Sequence, residues 1–173
     1  AHCYVTGTGL THLGSAQARD EMHIESNDTE AGLTDSLRLF RQGLQGGKPP
    51  PGEVGVQPEW FYKGSGTSIV PPEQPLVLPP FALDGGEEAE LVGLYVIAGS
   101  GTILRVGFAL GNEFSDHVME RQNYLYLAHS KLRTCSIGPE LLAGRCPSSI
   151  RGHVRIVREG TQVWADTFLT GEA

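Results

Sequence analysis

The chain has 173 residues, 39% hydrophobic and 19% charged, which is enough for one globular domain with its own core. A formal charge of −7, with Lys and Arg scattered and never striped between aromatics, excludes a nucleic-acid surface. Prolines and charges interrupt every apolar run short of the ~20 residues a bilayer span needs, so no membrane helix is expected.

The chain opens on a Gly-rich, polar stretch, Thr6-Gly7-Thr8-Gly9. It has neither P-loop nor dinucleotide-binding spacing, so a flexible or tightly turned loop is expected there. The spacing then predicts a helix over 34–45. Thr34, Asp35 or Ser36 can cap it, Leu37, Phe40 and Leu44 follow helical periodicity, and Gly46-Gly47 ends it. Lys48-Pro49-Pro50-Pro51-Gly52 cannot continue a helix and predicts an extended linker.

From Trp60 the signals are mostly for strands. Trp60-Phe61-Tyr62 and Ser68-Ile69-Val70 are short and β-rich, and prolines confine the segment between 70 and 80 to edges or loops. Residues 91–97 and 103–110 flank Ala98-Gly99-Ser100-Gly101 and predict a hairpin, and 154–158 with 162–164 predict a second around Glu159-Gly160. Between them, 115–128 has few breakers and predicts a short helix. Helices early and strands late, with no βαβ alternation, predict a β-dominated α+β fold.

Cys3, Cys135 and Cys146 are odd in number and lack zinc-finger or C-x-x-C spacing. They read as buried or idle thiols of a reducing compartment, and a cytoplasmic location is expected. Cys135 lies close in sequence to Lys131, but no His partner is evident from spacing. The first residues carry no secretory-signal pattern, and Ala1 need not be the natural start.

The pattern with most chemical content is Glu88-x-Glu90, then Glu113 at the end of an apolar segment, then Lys131 ahead of Gly138-Pro139. A strand puts residues two apart on one face, so Glu88 and Glu90 can share one hard cation, with Glu113 supplied from a neighbouring loop. Mg2+ or Mn2+ takes such oxygen ligands and keeps positions for water or substrate. The same residues also read as a solvated acidic edge, because Asp84, Glu87, Glu88 and Glu90 form a short charge run.

These stretches resemble the fumarylacetoacetate hydrolase superfamily. Trp60-Phe61-Tyr62-Lys63-Gly64 with Pro79 resembles the family's F-x-K…P segment, and Glu88-Ala89-Glu90-Leu91 its E-x-E-L metal motif. Gly111-Asn112-Glu113-Phe114-Ser115 resembles G-N-D-V-S, and Ser130-Lys131 with Gly138-Pro139 resembles G-K-S…G-P. The resemblance implies a mixed β-roll catalytic domain, incomplete here at its C-terminus, with 1–52 as a lid and helical segment and 53–173 as the core of a single domain. It implies Mg2+ or Mn2+ held by Glu88, Glu90 and Glu113, with Glu113 one methylene longer than the usual Asp. Lys131 would be the catalytic lysine and His12, in Leu10-Thr11-His12, the base on the lid. Lys63, His117, Gly138 and Pro139 would contact substrate. His23, His129 and His153 are left as structural or surface residues. A homodimer is implied as well.

The long matches over 54–64 and 121–131 resemble a bacterial branch of sugar-acid breakdown, which implies a 2-keto-3-deoxy sugar acid of the pentonate type as the small-molecule substrate. Its carboxylate and ketone oxygens can chelate the metal and stabilise an enolate at C3. Dehydration then needs a base for the C3 proton, and Lys131 would be that base if burial and a nearby cation disfavour its charge. The same intermediate would serve a hydrolase cleaving the C–C bond of a 2,4-diketo acid. A non-catalytic binding module with the same fold is the reading from another class.

Overall fold

The computed structural model describes residues 2–9, 17, 34–123, 126–131 and 134–171. Its elements are β1 (Tyr4–Gly7), α1 (Asp35–Gly46), β2 (Phe61–Ser65), a 3-10 turn (Gly66–Ser68), β3 (Ile69–Val70), β4 (Ala89–Ile97), β5 (Ile103–Asn112), α2 (His117–Gln122), α3 (Leu127–Ser130), β6 (Cys135–Ile137), β7 (Leu142–Ala143), β8 (Ser149–Arg158) and β9 (Thr161–Gly171). Strands dominate, arranged in several sheets beside a few short helices. The chain divides into two units that interleave in sequence, the first comprising 1–69, 76–86 and 114–134 and the second 70–75, 87–113 and 135–173. The Pro-rich run at 48–52 lies inside the first. Among the described residues no helix is long and apolar enough to cross a membrane.

In the first unit, α1 begins where its sequence says it should. Thr34 is the N-cap, its hydroxyl accepting from the Leu37 N–H at 3.3 Å, and Asp35 stands in the first turn where the helix dipole favours a carboxylate. At the far end the Gly47 N–H donates to the Gly43 carbonyl at 2.8 Å. The opening Gly-rich stretch is not a loop at Tyr4–Gly7: it is β1, antiparallel to β2, with Gly7 opposite Phe61. The missing β-carbon of Gly7 is what admits the Phe61 ring, since a Cβ built there would collide with it. Gly7→Ala is therefore expected to displace that ring and destabilise the chain by about 2 kcal/mol, the usual cost of overpacking, read as a lower urea midpoint.

The helix expected over 115–128 is two helices. Asp116 caps α2, and the chain leaves it at Asn123, whose φ of −162° and ψ of 119° are extended. α3 follows as a single turn and ends at Lys131, which has φ −77° and ψ 5°. The early-helix, late-strand order also needs correction, because β1 precedes α1 and the two short helices fall between β5 and β6.

In the second unit, β5 is the organising strand. It pairs with β4 along its length, from Ile97↔Ile103 at the turn to Ala89↔Asn112 at the open end, and with β6 and β7 on its other side. β6 in turn pairs with β3. β7 approaches so closely at Gly107 that an added Cβ would meet the Leu142 carbonyl oxygen and, at 3.0 Å, the Ala143 Cα. The β8–β9 hairpin is a separate two-stranded ribbon, longer than its sequence suggested, running from Ser149↔Gly171 to Arg158↔Thr161. Half-buried and exposed residues alternate along β8, as a one-sided strand requires. Its interior glycine, Gly152, pairs with Phe168, whose ring occupies the space a β-carbon would need.

Candidate active site

Burial of polar side chains marks the site. Among the described residues, buried hydrophobic side chains are few (Ala109, Phe114 and Cys135), whereas Ser36, Lys63, Ser115, Asp116, Glu120, Ser130 and Lys131 are buried in the first unit and Glu113 in the second. Charged groups are almost never fully buried unless paired, so in each unit these are the informative side chains.

The second unit positions the three carboxylates. β4 and β5 pair Glu90 with Gly111 and Ala89 with Asn112, and one step further the Glu113 N–H donates to the Glu88 carbonyl at 2.9 Å. The Asn112 side chain adds a clamp, its Oδ1 accepting from the Glu88 N–H at 3.0 Å. Each residue of Gly111-Asn112-Glu113 thus has a task. Gly111 lets Val92 lie against the strand, since an added Cβ would sit 2.5 Å from Val92 Cγ2, while Asn112 pins Glu88 and Glu113 extends the pairing. The period of two then puts Glu88, Glu90 and Glu113 on one face of the hairpin's open end. Glu113 is buried and the other two are half-buried. Among the described residues no three His, Cys, Asp or Glu form a metal-binding group. The donor set still suits a hard divalent cation, being all carboxylate oxygen. Gly138 and Pro139 follow β6 in the same unit, where the Gly138 N–H donates to the Leu110 carbonyl at 2.9 Å.

The first unit positions the lysine. Lys131 Nζ donates to Ser115 Oγ at 3.2 Å and lies 5.3 Å from the centre of the Phe61 ring, within cation–π range. The Phe61 ring that faces this ammonium is the one seated on Gly7. Lys63 Nζ donates to the Phe114 carbonyl at 3.2 Å and to the Lys131 carbonyl. Asp116 is wholly buried and joins three segments. Its Oδ1 accepts from the Met119 N–H at 2.8 Å, its Oδ2 accepts from the Leu83 N–H at 2.6 Å, and its own N–H donates to the Ser130 carbonyl. Ser130 is also wholly buried, its hydroxyl donating to the Leu127 carbonyl at 2.7 Å. His117 opens α2 half-buried, its imidazole over Gly86, where any β-carbon would strike Nδ1. His129 and His153 are exposed, as surface residues should be. His12 and His23 lie outside the described residues.

Ser115, Asp116, Glu120 and Ser130 were not singled out from the sequence as site residues. A signal was present for two of them, since Ser115-Asp116 directly follows the Gly-Asn-Glu turn and Asp116 stands one residue ahead of a helix.

Over 95% of its length the chain is similar in structure to 2-keto-3-deoxyarabinonate dehydratase in a hexagonal crystal form, with TM-score 0.66 and 22% identity. The fold is that of this dehydratase. The apo form of 2-keto-3-deoxy-D-arabinonate dehydratase gives the same TM-score, 0.66, at 21% identity over 95% of the chain. A third structure, the dehydratase complexed with magnesium and 2,5-dioxopentanoate, gives 0.55 at 17% identity, covering 97% of this chain and 76% of that one. This chain spans about half the length of the first two dehydratases, 52% and 50%. No family model matches the sequence, and no curated protein matches it either.

Proposed function

We propose that the chain serves a metal-dependent hydro-lyase that removes water from a 2-keto-3-deoxy sugar acid of the pentonate type. The observation that carries this reading is the β4–β5 register, which sets Glu88 against Glu113 with Glu90 two residues on. The dehydratase fold supports it, as does the magnesium and 2,5-dioxopentanoate bound by one structure of that fold. Glu88, Glu90 and Glu113 would hold Mg2+ or Mn2+. Such an ion supplies Lewis-acid polarisation of the 2-keto acid's oxygens.

The residues of the chain do the rest. Lys131, as the neutral amine, would take the C3 proton, and the departing C4 hydroxyl would take a proton from His12 or from the Lys131 ammonium so formed and leave as water, with Ser115 Oγ within hydrogen-bond reach of Nζ throughout. Ser115 aims its Nζ, and the Phe61 ring shields it from water. His117, Gly138 and Pro139 would contact the substrate, and His12 remains the candidate for a second acid/base, whereas Lys63, expected among those contacts, donates instead to the Phe114 and Lys131 carbonyls. A homodimer is proposed as the working assembly.

The test is calorimetric titration of the folded chain with Mg2+ and Mn2+, followed by mass spectrometry of products from a 2-keto-3-deoxy pentonate. Loss of one water, giving a dioxopentanoate, is the expected result. Glu90→Gln should weaken Mg2+ binding by about 100-fold or more, because even outer-shell partners of a metal site cost 10–100-fold. A folded chain that binds neither metal would sink the reading in favour of a binding module. Cleavage of a 2,4-diketo analogue to pyruvate, with no dehydration, would make it a carbon–carbon hydrolase.

A further inference from the structure

The chain has three lysines, and two of them, Lys63 and Lys131, are buried in one place while Lys48 is exposed. Burying one long cationic side chain is costly, and burying a second beside it more so. Lys63 is not spare packing, because its ammonium reaches two backbone carbonyls that lie far apart in sequence. The first belongs to Phe114, which has φ 60°, a left-handed conformation that a bulky side chain rarely adopts. That turn comes directly before Ser115 and Asp116. The second belongs to Lys131 itself, which closes α3. One ammonium therefore ties the turn that delivers Ser115 to the residue whose Nζ donates to Ser115.

We infer that Lys63 is a positioning residue, whose double donation to Phe114 and Lys131 fixes the Lys131 side chain between Ser115 Oγ and the Phe61 ring. Its ammonium donates to backbone carbonyls, while the Lys131 ammonium donates to the Ser115 hydroxyl. Methionine at 63 would keep the stem and lose both donations, freeing the Phe114 turn and the end of α3 together. Arginine would keep a cation able to donate to two acceptors.

The experiment is competitive acetylation with limiting acetic anhydride, read peptide by peptide by mass spectrometry, with exposed Lys48 as internal reference. In the wild-type chain Lys63 and Lys131 should both react far more slowly than Lys48. In Lys63→Met the rate at Lys131 relative to Lys48 should rise roughly tenfold or more, as expected when a charge-assisted hydrogen bond no longer opposes local opening. Lys63→Arg should restore protection. Unchanged protection of Lys131 in a folded Lys63→Met chain, or an arginine variant that labels like the methionine one, would overturn the inference. If Lys63→Met does not fold, the wild-type chain in graded urea decides. Both lysines should lose protection in one step, and Lys131 reacting while Lys63 stays protected would overturn the inference equally.

The catalytic consequence rests on Lys131 being the proton-transfer group: Lys63→Met should then lower kcat with KM little changed, and Lys63→Arg should recover part of it. Labelling does not depend on turnover, so altered protection in a chain that dehydrates nothing would separate failure of the functional reading from failure of this one.

Discussion

Replacing Lys131 with methionine is expected to lower dehydration of a 2-keto-3-deoxy pentonate by about 10³, within the range that a positioned general acid or base contributes. Methionine keeps the length and apolar stem of the side chain, so the ring of Phe61 retains a neighbour and the fold should persist. Mg2+ affinity should be unchanged, because the proposed ligands are the three glutamates. Ser115→Ala should cost less than Lys131→Met, since it removes only the hydroxyl that aims Nζ. Steady-state kinetics with a parallel metal titration separates these effects. Turnover within tenfold of wild type in Lys131→Met would remove Lys131 from the proton-transfer role, whatever the fate of the metal site.

Asp116→Ala should destabilise the chain by about 3 kcal/mol, the largest stability loss expected from a single site residue. Part of it is the helix cap of α2, where the Met119 N–H loses its acceptor, worth about 1 kcal/mol. The rest is the Leu83 N–H, left without the Asp116 carboxylate, where a hydrogen bond to a charged group contributes about 1.5–3 kcal/mol. Against a typical margin of about 5–15 kcal/mol this is a large share. Asp116→Asn keeps one carbonyl oxygen for one of the two donors and should fall between alanine and wild type. Urea denaturation followed by Trp fluorescence measures both, and a loss below about 1 kcal/mol for alanine would mean that water replaces the carboxylate at both amides.

The parts of this fold that the sequence made legible are those set by neighbours in the chain. The cap at Thr34, the helical spacing of Leu37, Phe40 and Leu44 and the Gly46-Gly47 stop foretold α1, and the Gly-rich turn at 98–101 foretold the β4–β5 hairpin. The two strands that were missed or shortened share a cause. Gly7 reads as loop and Gly152 falls outside the expected strand at 154–158, yet each is a seat for an aromatic ring across the strand, Phe61 in one case and Phe168 in the other. That pairing is invisible until the partner strand is known. The family resemblance correctly pointed to the fold, and the spacing Glu88-x-Glu90…Glu113 proved to be a register, with Glu113 bonded to Glu88. The polar centre around Asp116 and Ser130 was not legible, because it is assembled by backbone bonds between segments that no local pattern connects.

The β1–β2 pairing carries a consequence for the order in which the chain assembles. Arg158 and Thr161 meet across the shortest of turns, so the β8–β9 ribbon can zip from its turn almost without loop entropy. Tyr4 meets Ser65 only by closing a loop of about 60 residues, and nothing repays that closure until the strands touch. The four residues Tyr4–Gly7 should therefore join late in folding and leave early in unfolding, with amides that exchange hydrogen sooner than those of β5. Since Gly7 is also the seat of the Phe61 ring, the floor beneath Lys131 would be the last part of the site to set and the first to melt.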